Sequence, residues 1–327
     1  MTQPRIIIDV APELEDDLFD AELLARLDAL GDVGHTGGSG DPARMAADVV
    51  VTGWGTPALP ARRGPDDRVR LLVHSAGTIR TIIPRSLIED GVQVSQASAG
   101  MARSVAELAL YFTLSLLRTL QGVDRQMHAQ HDWAAGQSFG LGRTVASEMI
   151  GVVGASRVGR LYIEMVRALG ADVLVYDPYL PALEAERLGV AVVPLDELLT
   201  TCGVVALHAP VTPETRNLLS AQRLASIRDG GILINTARSA ILDSGALERE
   251  LLSGRLSAAL DVFAEEPLPA GSGLWGLPNV ILTPHLGAVT RHSRRSQGRI
   301  VLEEVERFLT GRALENEVLA STYDRLA

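Results

Sequence analysis

Met149-Ile-Gly-Val-Val-Gly-Ala-Ser-Arg-Val-Gly-Arg-Leu-Tyr162, running on to Val173-Leu-Val-Tyr-Asp177, is the stretch that decides the fold. Ile150, Val152 and Val153 form a short apolar run, as a strand buried on both faces does. Gly154 and Gly159 bracket a turn into a helix, because Val158, Leu161, Tyr162, Met165, Val166 and Leu169 recur at helical spacing. Gly170 closes that helix, and a second apolar strand ends at Asp177. A βαβ unit with a glycine turn and a terminal carboxylate is the layout of a dinucleotide site. The pattern G-x-G-x-x-G has one departure, Ser156 at its middle position.

A pyrophosphate needs backbone N–H groups aimed at it and the positive end of a helix behind it. Gly154 supplies the tight turn, and Gly159 lets the helix lie close to the strand. Ser156 adds a Cβ where glycine leaves room for the diphosphate. Its hydroxyl either donates to a phosphate oxygen or pushes the cofactor outward. Arg157 can balance phosphate charge, and Val158 beside it is a further cofactor-binding candidate. Asp177, at about the 20-residue spacing expected, can accept from the ribose hydroxyls and repel a 2′-phosphate, which favours NAD. The glycines alone fit an ordinary strand–helix turn; the strand, the helix and the acid together favour the cofactor site.

The chain has 327 residues, enough for two domains with separate cores. Apolar residues make up 46% and charged residues 21%, and the net charge is −10. That balance speaks against nucleic acid and anionic membranes as partners, since both reward basic patches. One cysteine, Cys202, allows no intrachain disulfide. Ile6-Ile7-Ile8 is cut off by Asp9 before it becomes a secretory core, and Val105 to Leu117 is too short to span a bilayer. The expectation is a cytoplasmic protein. No cluster has metal-ligand spacing.

Along the chain, strands are expected at Arg5–Val10, Val49–Val51 and Val69–Val73, with helices at Leu14–Leu30, Ala58–Arg63 and Ile82–Glu89. Gly34–Gly40 resembles a phosphate loop but lacks the following Lys-Ser/Thr, and reads as a surface loop. A helix from Ala102 through Arg118, continuing to about Trp133, is placed to join two domains. After the loop Gly136–Gly142 and the opening stretch come strands at Ala191–Val193, Val204–His208, Ile232–Asn235, Ala258–Val262 and Val280–Thr283. Helices are expected at Thr215–Ile227 and Asp243–Leu252, and the last 35 or so residues read as mostly helix. Strands alternating with helices imply parallel α/β sheets.

Arg238, Glu266 and His285 each stand just past a strand, at the carboxyl end where open α/β sheets bind ligands. Arginine can clamp a carboxylate bidentately and polarise a carbonyl. Histidine, with an unperturbed pKa of about 6.5, exchanges a proton at neutral pH. A carboxylate partner fixes its tautomer. Singly, each residue reads as a surface or turn residue. On successive strand ends they form the constellation that hydride transfer to a 2-oxo acid needs. Trp54 is either a wall of the substrate pocket or a packed core aromatic, and His208 lines the cofactor cleft.

The run Val145 to Ala288 resembles the D-isomer-specific 2-hydroxyacid dehydrogenases. The likeness rests on Gly151–Gly159, His208-Ala-Pro-Val-Thr-Pro-Glu-Thr215, Asn235-Thr-Ala-Arg-Ser239, Asp261-Val-Phe-Ala-Glu-Glu-Pro267 and Leu274-Trp275 through Pro284-His285-Leu-Gly287. It extends more weakly through His74-Ser-Ala-Gly-Thr78 and Arg103-Ser-Val-Ala-Glu107. The resemblance implies a doubly wound (Rossmann) cofactor domain at 101–289. It also implies a discontinuous, flavodoxin-like α/β substrate domain at 1–100 and 290–327, and a homodimer. It implies that Arg238 orients the substrate, that His285 is the acid/base and that Glu266 is its partner. Asp261 and the backbone at Ala237 would face the nicotinamide, and Ser104 would contribute to the cofactor site. Ser75, Ala76 and Gly77, with Thr78, would offer N–H groups to the substrate carboxylate. Ser156, Ser239 and Met101 depart from the family pattern, where glycine, glycine and asparagine are usual.

The sequence therefore reads as an NAD-dependent D-2-hydroxyacid dehydrogenase, a 2-oxo acid reductase in the reverse direction. Closure of its domains near Ala102 and Val289 would exclude water. A non-catalytic NAD(H)-sensing or partner-binding protein on the same fold is the alternative, and a methyltransferase-like transferase, which has no use for Arg238, Glu266 and His285, is a more distant one.

Overall fold

The computed structural model describes residues 3–138 and 140–325. The outermost residues of the 1–100 and 290–327 segments, and one position of the Gly136–Gly142 loop, lie outside the described residues. The chain forms two compact units, Met1–Met101 with Ala288–Ala327, and Ala102–Gly287.

The first unit is built on five strands, β1 (Arg5–Asp9), β2 (Asp32–His35), β3 (Val49–Thr52), β4 (Leu71–His74) and β5 (Gln93–Gln96). They pair in parallel in the order β2-β1-β3-β4-β5. Helices α1 (Pro12–Leu18), α2 (Ala21–Leu30) and α3 (Arg85–Glu89) flank the sheet. Alternate residues feed opposite cores: Ile6 and Ile8 join one, Ile7 the other, so β1 is apolar throughout.

The second unit opens with α4 (Ala102–Leu117), α5 (Leu120–Gln130) and α6 (Trp133–Gln137). It continues β6 (Met149–Val153), α7 (Arg157–Ala168), β7 (Asp172–Tyr176), α8 (Ala182–Leu188), β8 (Ala191–Val192), α9 (Leu195–Thr201), β9 (Val204–Leu207), α10 (Ala221–Ser226), β10 (Ile232–Asn235), α11 (Ser244–Leu252), β11 (Ser257–Leu260) and β12 (Val280–Leu282). All seven strands are parallel, in the order β12-β11-β10-β9-β6-β7-β8. This is a doubly wound sheet whose order reverses between β6 and β9, the crevice where such sheets take ligands. Val204 and Ala206 face the core beneath α4 and α7, while Val205 and Leu207 face the core beneath α9 to α11. The chain then returns to the first unit in α12 (Arg291–Leu309).

Several local expectations differ from the structure. The expected helix Leu14–Leu30 is two helices, because Asp20 takes the cap of α2 by accepting from Leu23 N at 3.0 Å. Ala58–Arg63 is not helical: Pro57 and Pro60 disfavour helical geometry before them. Pro84 likewise delays α3 to Arg85. The long helix from Ala102 breaks at Thr119, which adopts φ 51°. Thr212 and Thr215 close a side-chain turn, Thr212 N donating to Thr215 Oγ1 at 2.7 Å, so helix there begins only after Ser220. Gly34 and His35 belong to β2, leaving Gly37, Gly38 and Gly40 as the irregular part of that loop. The polar edge strand β5 gave no alternation to read, and α12 ends at Leu309.

Candidate active site

The cofactor turn is shaped by what cannot fit. Gly154 adopts φ 96°, and a Cβ there would lie 2.6 Å from the Ala209 backbone. A Cβ on Gly159 would lie 2.1 Å from the Gly154 carbonyl oxygen, so only glycine lets α7 rest on the end of β6. Ser156 is the N-cap of α7, its Oγ accepting from Gly159 N at 3.3 Å. The residue that departs from the glycine pattern thus satisfies a backbone donor that the first turn of the helix leaves open. Arg157 starts the helix and Val158 packs on the core beneath it.

Asp177 closes the turn from the neighbouring strand, its Oδ2 accepting from Ala155 N at 2.7 Å and its Oδ1 from Tyr179 N at 2.8 Å. His208 follows β9, and its N–H donates to Val153 O at 2.8 Å. Its ring lies 5.0 Å from that of Tyr162, and neither ring nitrogen has a hydrogen-bond partner among the described residues. Burial pushes its pKa down to about 3, so the imidazole is neutral. Ser104, on α4, is buried. The glycine cradle, the capped α7 N-terminus and the strand-end acid fit a dinucleotide.

The other functional end lies across β10, β11 and β12, three adjacent strands. Asn235 ends β10 and is followed by Thr236, Ala237 and Arg238; the Arg238 Nη1 donates to Ala237 O at 2.7 Å. Asp261 follows β11, and Glu266 lies on the next turn, its Oε1 accepting from Phe263 N at 3.0 Å. His285 follows β12 with φ 55°, and its Nδ1 lies 2.9 Å from Glu266 Oε2. Both side chains keep contact with solvent, at 46% and 39% exposure. Burial would raise the Glu266 pKa, but bonds from His285 and Phe263 and the charges of His285 and Arg238 outweigh it and hold the carboxyl below its usual range. The pair faces a cavity of about 550 Å³ walled also by Phe263, Pro267, Trp275 and Leu282.

Ser75, Ala76, Gly77 and Trp54 belong to the first unit. The Ser75–Thr78 turn follows β4, Ser75 N donating to Thr52 O at 2.8 Å and Ser75 O accepting from Gln297 Nε2. Trp54 is half-buried, with the Arg294 guanidinium 4.3 Å over its ring. Sequence reasoning gave no role to Asn235, Thr283 or Arg294. Asn235 and Thr283 stood inside quoted motifs, but only their hydrogen bonds distinguish them from ordinary strand-end residues. Among the described residues, no group of three or more His, Cys, Asp and Glu is arranged to hold a metal, and no helix is long and apolar enough to cross a membrane.

The profile of the D-isomer-specific 2-hydroxyacid dehydrogenase NAD-binding domain matches residues 110–287. The chain belongs to this family. Its second unit is therefore an NAD-binding domain, and NAD is its cofactor. A D-3-phosphoglycerate dehydrogenase of Methanocaldococcus jannaschii is 31% identical over 274 residues, covering 83% of this chain and 52% of the relative. The enzyme of that name from Mycobacterium tuberculosis is 37% identical over 229 residues, covering 70% and 43%. The chain thus spans about half the length of these relatives. A D-lactate dehydrogenase of Lactobacillus jensenii, solved with NAD+, shares the fold at a TM-score of 0.79 and 22% identity, over 96% of this chain and 99% of that one.

Proposed function

We propose that this family member transfers a hydride between NAD(H) and C2 of a D-2-hydroxy acid or its 2-oxo counterpart. The observation that carries the reading is the 2.9 Å bond between His285 Nδ1 and Glu266 Oε2, with the charge of Arg238 acting on the same carboxylate. The cofactor, when bound, supplies or accepts the hydride. Gly154, Ser156, Arg157, Val158 and Gly159 would hold its pyrophosphate and Asp177 its ribose, with Ser104, His208 and Ala237 as the further candidates for holding it.

The ionised Glu266 accepts a hydrogen bond from Nδ1–H of His285, which leaves Nε2 as the ring nitrogen that works on the substrate. In reduction, Nε2–H donates to the carbonyl oxygen; in oxidation, Nε2 takes the hydroxyl proton. Arg238 holds the substrate carboxylate and stabilises charge developing on the carbonyl oxygen. Ser75, Ala76 and Gly77, with Trp54, are the first unit's candidates for substrate recognition. A homodimer is part of the same proposal.

The test follows NADH absorbance with glyoxylate, hydroxypyruvate, a bulkier 2-oxo acid and a phosphorylated one, and determines the configuration of the product. Turnover to a D-2-hydroxy acid is expected. Cofactor titrating normally with no turnover on any of them would favour an NAD(H)-sensing protein instead.

A further inference from the structure

Two buried polar side chains stand side by side under the loops that carry Arg238 and His285. Asn235 and Asp261 end adjacent strands, each is 1% exposed, and Asp261 N donates to Asn235 O at 3.0 Å. Both side chains are tied into the loops above them. Asn235 Oδ1 accepts from Ala237 N at 3.1 Å, and its Nδ2 donates to Arg238 O at 3.1 Å. The amide thus grips both ends of the dipeptide that presents the arginine. Asp261 Oδ1 accepts from Thr283 Oγ1 at 2.6 Å and Leu286 N at 2.7 Å, while Oδ2 accepts from Gly287 N at 2.8 Å. Its main-chain oxygen accepts from His285 N at 3.0 Å. Four bonds from one residue therefore surround His285 on both sides along the chain.

That enclosure explains the backbone of His285. A φ of 55° is unfavourable for a residue with a Cβ, and such a conformation persists where its surroundings over-determine it. Gly287 belongs to the same device: a Cβ there would lie 3.0 Å from Asp261 Oδ2. We infer that Asn235 and Asp261 are paired positioning residues, which fix Arg238 and His285 respectively. Asp261 then acts on the chemistry through the His285 loop.

The inference rests on the activity assigned above, so its test includes a readout independent of turnover. Asp261→Asn sets an amide NH2 against donors that a carboxylate accepts. Turnover at saturating NADH and substrate should fall by about 10²-fold, the scale of a misplaced catalytic group. NADH affinity, read by fluorescence quenching, should change by less than about threefold, under 1 kcal/mol. The ring resonances of labelled His285 should move in this variant. In Asn235→Ala they should stay in place while substrate KM rises by about tenfold, as for a loosened arginine clamp. Thr283→Val removes one donor and should reproduce part of the Asp261→Asn effect, and it carries the test if that variant fails to fold. Asp261→Asn weakening NADH binding as much as it lowers turnover, with His285 resonances unmoved, would overturn the inference. So would wild-type turnover in either the Asp261→Asn or the Thr283→Val protein. If no 2-oxo acid is turned over, the His285 resonances alone decide the positioning claim.

Discussion

His208 and His285 both follow strands of one parallel sheet, and the chain treats them in opposite ways. His208 is sealed behind the glycine turn against Tyr162, and burial drives its pKa down to about 3. His285 follows the edge strand β12, 46% exposed and bonded to an ionised glutamate. The first region is made by exclusion: Gly154 and Gly159 leave space, and a neutral ring fills the rest. The second is made by support: buried Asn235 and Asp261 bond to the loops that carry Arg238 and His285, Asp261 also through the Thr283 hydroxyl. An imidazole carries a proton only where its charged form is tolerated, and the burial of His208 denies it that.

The contrast predicts which substitutions affect binding and which affect chemistry. Gly159→Ala places a Cβ 2.1 Å from a carbonyl oxygen and should weaken NADH binding by more than about 10²-fold, with a loss of roughly 1–3 kcal/mol in stability. Fluorescence titration and urea unfolding read both effects; unchanged binding would remove exclusion as the principle of that turn.

The buried histidine supplies a pH signature. Because the folded pKa of His208 lies below the unfolded value of about 6.5, the unfolded chain binds the proton first as pH falls. Stability is therefore full above pH 6.5 and should decline by about 3 kcal/mol between pH 6.5 and 4 from this residue. His74, buried in the first unit with its pKa lowered to about 4, adds a similar decline. In His208→Phe the unfolding midpoint should depend less steeply on pH over that window. An unchanged slope would mean that His208 is already protonated in the folded chain.

At the other end, Glu266→Gln should lower kcat by about 10- to 100-fold and leave NADH affinity alone. The native Glu266 pKa is held down, so its ionic partnership with His285 persists until pH falls below the ordinary carboxylate range. The acid limb of the rate profile that Glu266 contributes should vanish in the glutamine variant. The smallest effect is expected at Ser156. Losing its cap in Ser156→Ala should cost about 1 kcal/mol of stability, and Ser156→Gly a few tenths, with NADH affinity within about tenfold in both.

These two regions also differ in how far the sequence exposed them. The glycine turn was legible because sterics act on neighbouring residues: Gly154, Gly159 and Asp177 announce themselves by spacing along one βαβ unit. The role of Ser156 was not, since a hydroxyl facing the helix and one facing a phosphate have the same sequence. Arg238, Glu266 and His285 could be picked out because each follows a strand. Asp261 could be named as a site residue, but its hold on the His285 loop could not be read, because it reaches Leu286 and Gly287 through a sheet register that no local pattern encodes. The local errors have the same cause in miniature. Prolines at 57, 60 and 84 and the caps at Asp20 and Ser220 overrode apolar periodicity that, read alone, continued the helices.

The proposed reaction turns on one proton and one side chain. The most direct measurement compares wild-type protein with His285→Ala at saturating NADH and a 2-oxo acid that supports turnover, with NADH binding measured separately by fluorescence quenching. A fall in kcat of about 10²–10⁴-fold with cofactor affinity unchanged is expected. A His285→Ala protein that turns over as fast as wild type would contradict it.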